Sequence, residues 1–145
     1  MKRNVKLALI GTIPMWVGIF LNYILAVASM PIFIVSAFFM GCWCYIAYKC
    51  AIGWEDLLPQ ACWLNLFSFV MLALVLIQEL IVGSYWVNYL GLASQFHFLP
   101  GLAFVSVLIG RQMEVITLPP LYAAETVFLF LFSLLGCWLK SKKRG

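Results

Sequence analysis

Between Lys6 and Lys49 the chain runs for 42 residues, Leu7 to Tyr48, without one formal charge. A helix needs roughly 20 apolar residues to cross about 30 Å of hydrocarbon. The run is therefore long enough for two crossings. The rest of the chain obeys the same constraint: 66% of its 145 residues are hydrophobic and only 10% are charged, where soluble domains carry about 25% charged residues. Too few charges are present to make a surface compatible with water, so a bilayer is the expected solvent. The predicted fold class is an all-α integral membrane protein, with residues 1–145 forming a single transmembrane domain.

The breaks divide the chain. Pro31 disfavours helix at the residue before it, so the long run splits at Ser29-Met30-Pro31 into spans at about 6–28 and 31–49. A polar loop, KCAIGWEDLLPQ, follows, and a third span is predicted at about 61–84. Pro119-Pro120 suits a first helical turn, where a missing N–H does no harm, and opens a last span at about 120–139. The segment LASQFHFLPGLAFVSVLIG, 92–110, is polar in its first half and interrupted by Pro100-Gly101. It reads as a fifth span, a re-entrant turn or an interfacial helix.

Charge bias chooses among these, because cytoplasmic flanks carry the excess of Lys and Arg. Four crossings put eight of the nine basic residues on one side with both termini, leaving only Arg111 opposite; five crossings give five against four. The prediction is thus a four-transmembrane-helix bundle with a re-entrant or interfacial outer segment over about 85–119, and with both termini cytoplasmic. The basic start MKRNVK and Ala26-Val27-Ala28 resemble a signal peptide, but the intervening apolar run is longer than a signal h-region, so a retained span is expected. Lys142 and Lys143 near the C-terminus read as a stop-transfer anchor, or as a dilysine retrieval signal in a eukaryote. The expected location is the plasma membrane in a prokaryote or the endoplasmic reticulum in a eukaryote.

Polar residues inside the spans are the candidate site. Glu79 lies about 7 Å below the outer surface at about 1.5 Å per residue, and Glu125 and Asn22 fall at similar depth from their own span ends. One stripe of the third span carries Asn65, Ser68, Leu72, Val75 and Glu79; one of the first carries Gly11, Met15, Gly18 and Asn22. Small residues permit close helix approach, as does the pair Ala37 and Gly41 on the second span. Asn22, Gln78, Glu79 and Glu125 are accordingly predicted to line an intramembrane polar pocket, since ionisable groups in a membrane default to functional hypotheses. The structural alternative is that both glutamates reach interfacial water or pack as hydrogen-bonded polar residues.

In the outer segment, Arg111 and Glu114 are spaced for a local ion pair on a helix, or Arg111 caps the pocket. His97, between Phe96 and Phe98, reads as an interfacial ring or a proton shuttle. The five cysteines, Cys42, Cys44, Cys50, Cys62 and Cys137, form no C-x-x-C motif and are expected to pack as small apolar residues. Trp54 and Trp63 read as an interfacial belt, with Glu55 and Asp56 as an acidic patch between them. No phosphate-binding loop, nucleophile elbow or H-E-x-x-H motif occurs. No catalytic residue, cofactor, metal site or nucleic-acid partner is predicted. The expected partners are the lipid bilayer and a membrane-protein partner or a second copy. The expected function is that of a non-enzymatic accessory or assembly subunit, the alternative being a small oligomeric transporter or channel using Glu79 and Glu125.

Overall fold

A computed structural model describes residues 2–25, 31–52, 56–84, 88–109 and 118–143. These form seven α-helices, and no strand occurs among the described residues. Helix α1 (Arg3–Ile10) and α2 (Ile13–Leu25) follow one another across a break at Gly11-Thr12. Pro14 causes that break, because it has no N–H to offer the carbonyl of Ile10. Helix α3 (Ile32–Cys50) starts directly after Pro31. Helices α4 (Leu57–Leu64) and α5 (Leu66–Leu76) meet at Asn65 with a bend of 50°. A π-helical turn, Ile77–Val82, extends α5 and ends at Gly83, whose φ of 71° suits a residue without a Cβ. Helices α6 (Tyr89–Ile109) and α7 (Leu118–Lys142) complete the bundle.

The main core lies where α3 packs along α7. Met40, Trp43 and Ala47 recur at helical spacing and are buried in one cluster with Leu129 and Cys137 of α7. Trp43 satisfies its indole N–H on the Leu129 carbonyl at 3.2 Å. Gly136 lets α7 approach the backbone of Cys44 and Tyr48. Lys140 stands over the ring of Tyr48, 4.9 Å from its centroid, so the C-terminal ends of α3 and α7 lie together. Arg3 pairs with Asp56 at 3.2 Å, and the Ile52 N–H donates to Gln60 at 3.0 Å. The start of α1, the end of α3, the start of α4 and the end of α7 therefore share one end of the bundle.

Among the described residues, four helical stretches are long and apolar enough to cross a membrane: Arg3–Ile24, Ile32–Cys50, Tyr89–Ile109 and Leu118–Lys142. The bent pair from Leu57 to Val82 makes a fifth if it counts as one span. The span expected at about 61–84 begins at Leu57 and is bent at Asn65. The segment expected to be a fifth span, a re-entrant turn or an interfacial helix lies, over 92–109, within one continuous helix: α6 packs against α2, α3, α5 and α7. The polar residues that argued for an outer position, Ser94 and His97, are fully buried and bonded to neighbouring helices. Interhelical hydrogen bonding, which a hydropathy reading does not count, makes such a helix acceptable inside.

Candidate functional site

Pro100 organises the centre of the molecule. In a helix it withholds the N–H that the carbonyl of Phe96 would accept, and each loose backbone group in a nonpolar interior needs a new partner. Three helices attend to this break. Ser36 of α3 donates its hydroxyl to the Pro100 carbonyl at 2.5 Å and accepts the Phe104 N–H at 3.2 Å, bridging the two. Glu125 of α7 accepts the Gly101 N–H on Oε1 at 3.0 Å. Gly18 of α2 lies against the freed Phe96 carbonyl so closely that a Cβ there would run into it. Gly101 does the same for Glu125: a side chain at 101 would occupy the place of the carboxyl group and of the Met40 methyl.

Further polar ties surround the break. His97, one helical turn before Gly101, is 0% exposed, and its Nε2 lies 2.8 Å from the hydroxyl of Ser68 on α5. Phe67 and Phe98 meet its ring edge-on at 5.3 and 5.0 Å. Gln78 donates to Ser94 at 3.2 Å and to the carbonyl of Leu74. Asn65 fills the bend between α4 and α5, donating to the Ala61 carbonyl and to Ser133 of α7 at 2.9 and 2.8 Å. Two titratable atoms in this interior have no hydrogen-bond partner among the described residues: Glu125 Oε2 and His97 Nδ1.

The pocket predicted from sequence is therefore dispersed. Glu125 is central and 0% exposed. Gln78 and Glu79, adjacent on the π turn, point to different neighbours: Gln78 inward to α6, Glu79 into an open groove with Pro119, Pro120 and Ala123 of α7. Glu79 is half-buried, and the inward stripe of α5 runs Ser68, Met71, Val75, Gln78 rather than ending at Glu79. Asn22 is exposed and does not join the layer. Four residues on from Gly18, it has rotated by about 40° off the contact line, at about 100° per residue. His97 is not an interfacial ring but a core residue. Gly41, expected to mark a close helix contact, has nothing near its absent Cβ and lies on the outer face of α3. Arg111, Glu114, Trp54, Glu55 and the Ala26-Val27-Ala28 triplet lie outside the described residues. Asp56 pairs with Arg3, and Trp63 is exposed.

No protein-family model, curated protein or solved structure matches the chain. The site has to be read from its own chemistry. Among the described residues no group of three or more His, Cys, Asp or Glu side chains could hold a metal ion. The five cysteines are free thiols, Cys137 buried against the Ala47 carbonyl and Cys62 exposed. Sequence reasoning missed Ser36 and Ser133, single hydroxyls in apolar runs. Each does lie on a buried stripe of its own helix, and Pro100 announces that some neighbour must supply hydrogen bonds to α6.

Proposed function

We propose that the chain is a non-enzymatic accessory or assembly subunit of a membrane, which docks on a membrane-protein partner through the outward face of α2. The observation that carries this reading is a stripe of aromatic side chains, Trp16, Phe20 and Tyr23, exposed at 62%, 63% and 73% and spaced as one helix face. Asn22 stands exposed at its edge. Aromatic residues are enriched where proteins meet, and an amide on an apolar helix gains from a polar partner on a neighbouring helix. Inside the bundle, by contrast, Ser36, Asn65, Gln78 and Glu125 are engaged in holding helices to one another, a cohesive role.

In this reading α1–α2, α3, α4–α5 and α7 cross the bilayer, with the lysine-rich end cytoplasmic. Helix α6 then enters from the opposite end. Its contacts support that placement: Ser94 meets Gln78 near the end of the α5 rod, and Leu102, Ala103 and Ser106 share a groove with Ile32 and Leu121, first-turn residues of α3 and α7. The test is tandem purification from native membranes, wild type beside Asn22→Leu and Trp16→Ala. A defined heteromer in the wild type, lost in both variants while the isolated bundle keeps its thermal stability, supports the reading. Complexes unaffected by both changes refute it. A second reading, an oligomeric transporter, rests on the open groove that Glu79 lines with Pro119, Pro120 and Ala123. A homo-oligomer without other subunits, whose Glu79→Gln variant folds but abolishes an ion flux in vesicles, favours that one.

A further inference from the structure

Beside its core stripe, α3 carries a second face along α7. Gly41, Cys44, Tyr45 and Tyr48 recur there at helical spacing and, with Leu139 of α7, line an open groove of about 490 Å³. That volume is in the range of small-molecule sites. Nothing lies within 4 Å of the absent Cβ of Gly41, so the inner end of the groove is open. From Tyr48 back to Gly41 the helix travels about 10 Å at about 1.5 Å per residue, so the groove runs along the helix axis.

The two ends of the groove differ. Gly41 and Cys44 give the inner part an apolar lining. At the other end two cations stand against its walls. Lys49 Nζ lies 5.2 Å from the ring centroid of Tyr45, and Lys140 Nζ lies 4.9 Å from that of Tyr48. The two tyrosine rings stack on each other at 6.4 Å, which brings both ammonium groups to one mouth. Lys142 stands over Trp138, the neighbour of Leu139, at 5.4 Å. No carboxylate neutralises this end: among the described residues the ion pair joins Arg3 to Asp56, and Lys49 and Lys140 have no acidic partner. An apolar groove alone would take any hydrocarbon. Two unpaired lysines at its mouth select one that carries negative charge, since basic pockets at helix ends hold acidic lipid head groups.

We propose that this groove binds one anionic phospholipid, with its phosphate at Lys49 and Lys140 and an acyl chain lying past Cys44 toward Gly41. The proposal rests on reading α3 and α7 as membrane crossings and is independent of the partner that docks on α2.

Native mass spectrometry of the full chain in detergent, mixed with phosphatidylglycerol or with phosphatidylcholine of the same chains, tests the site. The wild type should retain one phosphatidylglycerol in clear preference to phosphatidylcholine. Lys49→Gln and Lys140→Gln change exposed or half-buried ends of helices and should each reduce that preference roughly fivefold. Gly41→Leu fills open space and should weaken retention of both lipids while leaving the preference intact. Glycerol 3-phosphate, the head group without its chains, should not displace the lipid. Equal retention of the two lipids by the wild type, a preference unchanged in the double lysine variant, or full displacement by glycerol 3-phosphate overturns the proposal. So does a homodimer that excludes lipid and separates in Gly41→Leu, because a second copy then covers the groove. Release of the chain from native membranes by alkaline carbonate would overturn the membrane reading itself, and so distinguishes that failure from failure of the site.

Discussion

The same substitution, glycine to alanine, should have opposite signs at two positions in this bundle. At Gly18 the new Cβ would stand 2.7 Å from the carbonyl carbon of Phe96 and 3.3 Å from its Cα, where ordinary contact begins at 3.4 Å. The Phe96 carbonyl oxygen would be closer still, and the obstacle is backbone rather than a side chain that could swing away, so α2 and α6 themselves must move apart. Forcing an extra carbon into a close-packed contact costs about 1–3 kcal/mol. Better helix propensity returns up to ~1 kcal/mol. The net expectation at Gly18 is a destabilisation of about 1–3 kcal/mol. At Gly41 nothing lies within 4 Å of the built Cβ, so only the propensity gain of roughly 0.5–1 kcal/mol remains. The assay is reversible unfolding of both variants in mixed micelles of rising denaturing-detergent fraction, followed by tryptophan fluorescence. A Gly18→Ala variant as stable as Gly41→Ala would refute the close approach of α2 to α6 and, with it, the role of Gly18 at the proline break.

Other substitutions probe the remaining ties. Ser36→Ala removes the bridge between Pro100 and Phe104, leaves a buried carbonyl without that partner, and should cost about 1–3 kcal/mol in the same unfolding assay. Glu125→Gln keeps an acceptor for the Gly101 N–H and should be the milder change, whereas Glu125→Leu removes it and should cost at least ~1 kcal/mol more; equal stabilities would show that this hydrogen bond contributes nothing. Asn65→Ala loses the bonds to Ala61 and Ser133 and should destabilise by about 1–3 kcal/mol, with a looser α4–α5 bend detectable as a broadened spin-label distance across Asn65. Arg3→Gln breaks the pair with Asp56, which is exposed at 41% and 46% on its two sides; because solvent screens such pairs, its melting shift should correspond to less than ~1 kcal/mol.

Composition and the charge-free run settle the class of object: an all-helical chain with helices long and apolar enough for a bilayer follows from 66% hydrophobic residues and the position of Pro31 and Pro119. Gly18 and Pro100-Gly101 were also visible as special, because small residues and helix interruptions keep their meaning in any apolar setting. What lay beyond reach was facing. In a membrane protein both the core and the lipid are apolar, so hydrophobicity does not separate the inner side of a helix from the outer, as it does in water. Only polar and small residues mark a face, and a single one is ambiguous: Asn22 and Gly41 read as inward and are exposed, while Ser36 passed unnoticed and is buried. Which neighbour a polar group meets depends on how helices cross. Gln78 and Glu79 are adjacent in the chain, yet one bonds α6 and the other faces a groove on α7. The placement of α6 at the centre had to come from tertiary structure, because the partners that satisfy its proline break, Gly18, Ser36 and Glu125, arrive from three helices far apart in sequence.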